Sequence, residues 1–409
     1  MTETPRHVVV SGIGLVTSIG VGREAVWDSL LAGGSGIGPV ESFDTSAYEV
    51  HLGGEVRDFH PADHLERLDP ASVGRASQMA IAAARRALAD AGLESAPEEP
   101  RRAGVAMGTT SGEPREVELF DDRYVADELA AVGAEFIERY PCHMIAENIA
   151  AELGFAGVNA MIPTACAAGN YAIAYAFEAL RAGRADLMLA GGADAFSRIT
   201  YTGFARLGAI APDCCRPFDR NRKGMIPGEG AAVLVLEPLD AARARGAPIY
   251  AEVAGCGLSC DAHHMTGAHP EADGAARAMQ QALSLSGLRP EQVSYISAHG
   301  TGTENNDRLE TVAVKRVFGD AAHDIPMSSI KSMIGHTMGA ASAIEAAACA
   351  LAIHSDRIPP TINYEDPDPN CDLDYVPNSA RAHVVTVAMN NAYAFGGNNA
   401  SLVLRKPAP

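Results

Sequence analysis

Short apolar runs rich in β-branched residues alternate along this chain with longer Ala-rich stretches whose apolar positions recur at helical spacing. The short runs predict strands at 7–11, 103–107, 187–190, 232–237, 250–256, 293–298, 384–389 and 401–404. The longer ones predict helices near 23–31, 77–91, 145–153, 172–182, 275–286, 309–317 and 340–354. Strands and helices interleaved in this way imply an α/β protein with mostly buried sheets.

The pattern also repeats. VVVSGIGLVTSIG near the start is similar to YAEVAGCGLSCDA from Tyr250, each read as a strand, a Gly-x-Gly turn and small polar residues. AGVAMGTTSGE matches VSYISAHGTGTE, the helix after Cys166 matches GHTMGAASAIEAAACALA, and LMLAGGADAF matches VTVAMNNAYAFGG, all in the same order. The chain therefore reads as two similar halves, 1–248 and 249–409, meeting near 242–248. Equivalent loops would face each other across a pseudo-dyad, so a site built there draws residues from both halves.

With 409 residues, 47% hydrophobic and 20% charged, the chain can build two cores or one large merged core. Its start lacks the basic stretch and apolar run of a signal peptide, and no run of about twenty apolar residues suggests a membrane span. The eight cysteines are scattered, which fits a reducing cytoplasm better than a disulfide scaffold. Lys and Arg number 32 against 51 Asp and Glu, a formal charge of -19 that argues against nucleic-acid binding. An acidic partner would need a local basic patch, for which Arg67, Arg75, Arg206, Arg216, Arg220, Arg222 and Lys223 are candidates.

The chemistry gathers at three junctions. In PTACAAGNYAIAYAFEALR, Cys166 falls where small residues lead into a helix, and a helix start favours thiolate over thiol. Free cysteine, however, most often simply packs. His299 follows a strand in AHGTGTE, and His336 opens an Ala-rich helix in the position read as equivalent to Cys166 itself. The glycines of AFGGNN are turn residues on one reading; on the other they let a backbone N–H form an oxyanion hole with that of Cys166. Cys256, Cys260, His263 and His264 form C-x3-C-x2-HH, read as a strand end and substrate loop in preference to zinc ligands, so no metal is expected. No phosphate-binding glycine motif stands between a strand and a helix.

PTACAAGN, AHGTGT with Asp307 and Glu310 following, SIKSMIGHTMGAA and AFGGNN together resemble motifs of the β-ketoacyl-acyl-carrier-protein synthases, as do CRPFDRNRKGMIPGEGAAVLVLE and DAHHMTGAHPE. Similarity is greatest to type II elongating enzymes of fatty-acid synthesis and to polyketide or polyene ketosynthases. The resemblance implies a thiolase-like fold, two βαβαβαββ halves layered α-β-α-β-α and paired as a dimer. It implies a decarboxylative Claisen condensation: an acyl group held on Cys166 is attacked by the carbanion of malonyl-acyl-carrier protein, giving a 3-ketoacyl product and CO2. Neutral imidazoles at His299 and His336 would stabilise the enolate.

By the same resemblance Lys331 orients the histidines while ion-paired with Glu310, though a surface lysine is an equal reading from the residues alone. Thr301 and Thr303 contact the phosphopantetheine arm, which belongs to the carrier protein, so no cofactor of the enzyme's own is implied. Phe395 is implied as gate and, with Gly396, Gly397 and Cys166, as part of the oxyanion loop. Implied partners are an acyl-carrier protein and a second subunit, either a copy of this chain or a chain-length-factor-like paralogue; nucleic acid and membrane are not. Departures stand at Ala394, expected to stiffen Phe395, at Asn398, and in the acidic segment 121–142, which suggests a specialised polyketide or polyene enzyme. Rivals are a Cys-His acyl hydrolase or thioesterase, which would need no His336, a thiolase, which would need a second cysteine, and a non-catalytic chain-length subunit, which would lack Cys166.

Overall fold

The computed structural model describes residues 6–93, 99–128 and 133–407. Ten strands form its frame: β1 (Val8–Thr17), β2 (Ala103–Gly108), β3 (Asn159–Ile162), β4 (Leu187–Asp194), β5 (Gly230–Pro238), β6 (Ala251–Cys260), β7 (Tyr295–Ser297), β8 (Met327–Ser328), β9 (Val387–Tyr393) and β10 (Asn398–Arg405). With the short strand Gly20–Val21 paired to β1, they make one eleven-stranded sheet in the order β8-β7-β9-β10-β6-β1-β5-β4-β2-β3. The order reads the same from either end in chain sequence, with β6 standing to its side as β1 does to the other. Val8–Val10 pair antiparallel with Ala251–Val253, so the two five-strand wings join through three residue pairs.

The helices lie in three layers. α1 (Arg75–Asp90) and α2 (Met144–Leu153) cover the outer face of the first wing, burying Met79, Ile81, Ile145, Val105 and Val233 in one core. α3 (Ala168–Arg181) and α6 (Ala341–Ser355) lie between the wings, where Ile173, Phe177 and Ile344 meet Leu234 and Leu404. α4 (Asp273–Ser286) and α5 (Glu304–Phe318) cover the second wing over Met279, Ile296, Val314 and Met389. The layering is the α-β-α-β-α arrangement of the thiolase-like fold. Met338–Ser355, the one described helical stretch apolar and long enough for a bilayer, is 89% buried inside the protein, as a central-layer helix must be.

One sequence reading needs correction. The Gly-x-Gly pairs are not turns: β1 runs straight through Gly12 and Gly14, and β6 through Gly255 and Gly257. A Cβ at Gly14 would lie 1.8 Å from the Ala83 carbonyl oxygen of α1, and one at Gly257 1.9 Å from that of Ala278 in α4. Glycine is there so that an outer helix can rest its backbone on the strand. The sequence also gave no warning of Pro114–Val125 or Arg198–Arg206, helices that bury only Pro114 and Tyr201 and so carry no wide apolar stripe. Of the acidic segment 121–142, residues 129–132 lie outside the described residues, as do residues 1–5 of the start.

Gly14→Ala is expected to cost at least ~2 kcal/mol, because the new methyl meets a helix carbonyl that cannot move aside. Gly203→Ala, in the middle of Arg198–Arg206 with nothing within 4 Å of the added atom, is expected to gain about 0.5–1 kcal/mol. Chemical denaturation of the two variants beside the parent checks both signs.

Candidate active site

Cys166 lies in a 3₁₀ turn, Ala165–Ala167, that runs directly into α3. Ala165 holds φ 52, a left-handed conformation that L side chains adopt only under constraint. The second half repeats the device: Met338, with φ 54, opens the 3₁₀ turn Met338–Ala340 ahead of α6. Superposing the two turns in sequence sets Gly339 opposite Cys166 and His336 three residues earlier. The reading of His336 as the equivalent of Cys166 is therefore off by three. His336 instead reaches across from the strand-like segment before the turn, where its N–H donates to Ile226 O at 2.7 Å.

The two histidines and the cysteine do converge. His336 Nε2 is 3.1 Å from Cys166 Sγ. The His299 and His336 rings stand edge to face with centroids 5.6 Å apart. All three side chains are buried. They face a cavity of about 330 Å³ lined also by Thr301, Thr303, Phe204, Tyr393, Phe395 and Arg308.

Hydrogen bonds fix the imidazole tautomers. The Met338 N–H donates to His336 Nδ1 at 3.2 Å. A backbone N–H can only donate, so the neutral ring carries its hydrogen on Nε2, facing the sulfur. Lys331 Nζ lies 3.5 Å from His299 Nδ1, and an ammonium also only donates, which leaves the His299 hydrogen on Nε2. Burial, aided by the Lys331 charge, holds both rings well below the usual histidine range, so both stay neutral.

Lys331 is fully buried, which removes the surface-lysine reading. Its partner is Glu345, not Glu310 as the resemblance implied. Glu310 instead accepts the N–H groups of His299 and Gly300, each at 2.8 Å, and so shapes the loop that carries His299. Burial pushes Glu310 up to about 8, despite those two donors. Glu345 rises to about 7 by burial, opposed by Lys331. Glu345 was missed in the sequence although a signal stood there: it is the lone charged residue in ASAIEAAACALA, and a helix that apolar hides a carboxylate only against a cation.

The thiol departs from the sequence expectation. Burial pushes Cys166 up to about 12, outweighing the Lys331 charge that pulls it down. The oxyanion loop is also narrower than expected. The Gly396 N–H donates to Met265 O at 2.8 Å and that of Gly397 to Ala394 O at 3.0 Å, so neither is free for a substrate. Cys166 and Phe395 sit in the first turns of 3₁₀ helices, where an N–H has no intrahelical acceptor. Phe395 is 40% exposed, its ring 5.8 Å from Phe204 at the cavity mouth. Ala394, at φ -127, is ordinary extended backbone and imposes no strain on it.

Thr301 and Thr303 line the cavity with their hydroxyls 2.8 Å apart. Of the basic candidates, Arg75 is bound to the buried Glu229, Arg222 is buried against Asp368, and Arg216 pairs with Asp213, so these serve the structure. Arg67, Arg206, Arg220 and Lys223 are exposed. Cys256 is buried in β6 while Cys260 is exposed at its end, and His264 Nδ1 is occupied by the N–H groups of Thr266 and Gly267. Among the described residues no group of three or more His, Cys, Asp or Glu is placed to hold a metal.

Family models match most of the chain: Beta-ketoacyl synthase, N-terminal domain, over residues 5–242, and Beta-ketoacyl synthase, C-terminal domain, over 250–365. The 3-oxoacyl-[acyl-carrier-protein] synthase 2 of Synechocystis sp. is 41% identical over 98% of both chains. The tetracenomycin polyketide synthase ketoacyl synthase alpha subunit of Streptomyces glaucescens is 42% identical over 98% of this chain and 97% of its own. Among solved structures, the ishigamide ketosynthase/chain length factor superposes with a TM-score of 0.95 at 44% identity, covering 99% of this chain and 100% of that one. A type II PKS ketosynthase in complex with its acyl-carrier protein gives a TM-score of 0.91 at 34% identity, covering 99% and 100%.

Lys331→Met tests the buried pair. Glu345 loses its cation, at an expected cost of about 3–5 kcal/mol. Its carboxyl, already raised in the fold, rises further, so the folded state holds a proton that the unfolded state releases above about pH 4.5. Below about pH 7 folded wild type holds that proton too, so the deficit against wild type should be level in mild acid and widen above neutrality, as unfolding measured across pH would record. Iodoacetamide labelling of Cys166 should also slow, because the charge that lowers the thiol is gone.

Proposed function

The chain belongs to the β-ketoacyl synthase family, and from that premise we propose how its own residues divide the family's reaction, the Claisen condensation of carrier-bound acyl and malonyl thioesters. Cys166 takes the acyl group from a carrier thioester, releasing the carrier thiol. The malonyl thioester then enters with its carbonyl oxygen between the Nε2–H groups of His299 and His336. Its C–CO2 bond breaks, CO2 leaves, and the electron pair stays as an enolate held by those two donors. The carbanion attacks the Cys166 thioester carbon. The N–H groups of Cys166 and Phe395 receive the tetrahedral oxyanion, whose collapse expels the Cys166 thiolate and frees the 3-ketoacyl product.

The observation that carries this reading is the tautomer pair. A Cys-His hydrolase needs an imidazole lone pair aimed at the thiol. Here Nδ1 of His336 is occupied by Met338 N–H, and the sulfur faces a donor. Two neutral N–H donors suit an enolate and not a base-catalysed hydrolysis. Phe395 is proposed as gate, and Thr301 and Thr303 as contacts to the phosphopantetheine arm. The exposed Arg206 and Lys223, close in sequence to the cavity-lining Phe204 and Met225, are proposed to meet the acidic carrier protein. Eight free thiols suit a reducing cytoplasm.

For the second subunit we favour a chain-length-factor-like paralogue in a polyketide or polyene pathway. The ishigamide protein, a ketosynthase/chain length factor, supports that choice. Val125, 83% exposed, Ile137, 72%, and Leu119, 56%, are apolar side chains that a second subunit of either kind would cover. The pair should be visible by light scattering, with the mass of a heterodimer when the two chains are mixed; a mixture that keeps two separate homodimers would refute the pairing.

Cys166→Ala should abolish condensation and retain CO2 release from malonyl carrier protein. His299→Ala and His336→Ala should lower CO2 release by roughly 100-fold or more, the scale of losing a donor to a developing oxyanion. Radiolabelled CO2 counting with mass spectrometry of the carrier-bound product reads both; condensation by the Cys166→Ala protein would end the mechanism.

A further inference from the structure

Asp194, the last residue of β4, has no part in the chemistry above, yet its carboxylate is buried beside it. No cation pairs with it among the described residues. Four hydrogen bonds do so instead: Oδ1 accepts from Thr109 Oγ1 and Ser111 N, both at 2.9 Å, and Oδ2 from Thr110 N and Gly339 N, both at 2.7 Å. Three of those donors belong to the loop after β2 in the first half. The fourth belongs to the turn Met338–Ala340 in the second.

That turn is under constraint. Met338 is left-handed at φ 54, and a Cβ on Gly339 would stand 2.5 Å from backbone atoms of Thr109 and Thr110, so the two loops touch main chain to main chain. Within it, successive amides do different work: Met338 N–H holds His336 Nδ1, and Gly339 N–H holds Asp194. We propose that Asp194 is the positioning residue for His336, fixing the Met338–Ala340 turn so that its amide keeps the imidazole in the Nε2–H tautomer facing Cys166. The inference rests on the roles assigned above to His336 and Cys166. It makes the geometry of a second-half catalytic group depend on a first-half carboxylate.

Asp194→Asn replaces one acceptor oxygen by an NH2 that faces donors, releasing the loop, the turn or both. Burial places the Asp194 charge close enough to Cys166 to oppose its ionisation, with Lys331 acting the other way and Glu345 the same way. In the full-length protein, CO2 release from malonyl carrier protein should fall roughly 10- to 100-fold, the scale of a misplaced catalytic group. Acyl transfer to Cys166, which does not use the His336 donor in this scheme, should fall less. The pH midpoint of Cys166 alkylation should move down, since an opposing charge is gone. Asp194→Glu keeps the charge and shifts the oxygens, so its alkylation midpoint should match wild type while CO2 release is intermediate; it carries the test alone if the Asn variant does not fold.

Wild-type CO2 release in either variant would overturn the proposal. So would equal loss of acylation and CO2 release with an unmoved alkylation midpoint, the mark of a scaffold residue only. If the unmodified enzyme itself releases no CO2 from malonyl carrier protein, the functional reading beneath the proposal fails instead, and the two failures are told apart by that control.

Discussion

The distance between α3 and α6 sets the site. A Cβ on Gly169 would lie 2.5 Å from the Ala343 nitrogen, so the two central helices meet backbone to backbone at their first turns. Polar atoms lock the contact: Asn170 N donates to Ser342 Oγ at 3.0 Å, and Asn390 Nδ2 reaches both Asn170 Oδ1 at 2.9 Å and Ser342 O at 2.8 Å. Buried amides of this kind specify a register, because any slip leaves them unpaired. With the register fixed, the turns that precede the helices lie side by side. Cys166 in one and His336 just ahead of the other then come within 3.1 Å. The many alanines of α6 thus have a mechanical purpose, since larger side chains would hold the helices apart.

The same burial governs the charges. Ionised groups are costly away from water, and the centre behind the cavity pairs the buried Lys331 with Glu345 as its counter-ion. Burial, helped by that ammonium beside His299, suppresses protonation of both imidazoles, which turns each into a neutral donor. Glu310 and Asp194 are met by backbone amides instead. The histidines are donors by electrostatic necessity, and the turn around Met338 then chooses which nitrogen donates.

Much of this was legible in the chain because it lies in local pattern. The order of strands and helices follows from alternation, and Cys166, His299, His336 and Lys331 stand at glycine-rich junctions that break it. What escaped depends on distance in space. Gly12 and Gly14 look like a turn until α1 is seen resting on them. Glu310 and Glu345 are both acids near Lys331 in sequence, 21 and 14 residues away by numbering, and only the helix packing decides which one reaches it. The offset of His336 from Cys166 was hidden by the similarity of the two Ala-rich helices, which align well in any of several registers until the left-handed residues Ala165 and Met338 fix one.

A thiol held up to about 12 looks at first like a handicap for a nucleophile. The desolvation that raises it acts equally on any other anion brought to the same cavity, and the malonyl carboxylate is one. In water that carboxylate is stabilised by solvent; beside Cys166 it must shed water and, among the described residues, meets no arginine or lysine at the cavity wall except Arg308. In the condensation proposed above, loss of CO2 moves its charge onto an enolate oxygen, where the two imidazole N–H groups would receive it. Acylated Cys166 carries no charge and pays nothing for the dry surroundings. One physical cause therefore slows the free thiol, leaves the acyl thiol unaffected, and favours decarboxylation. Acyl transfer is the step that needs help from an arriving thioester and the oxyanion amides, while the carbon–carbon bond forms in surroundings already suited to it.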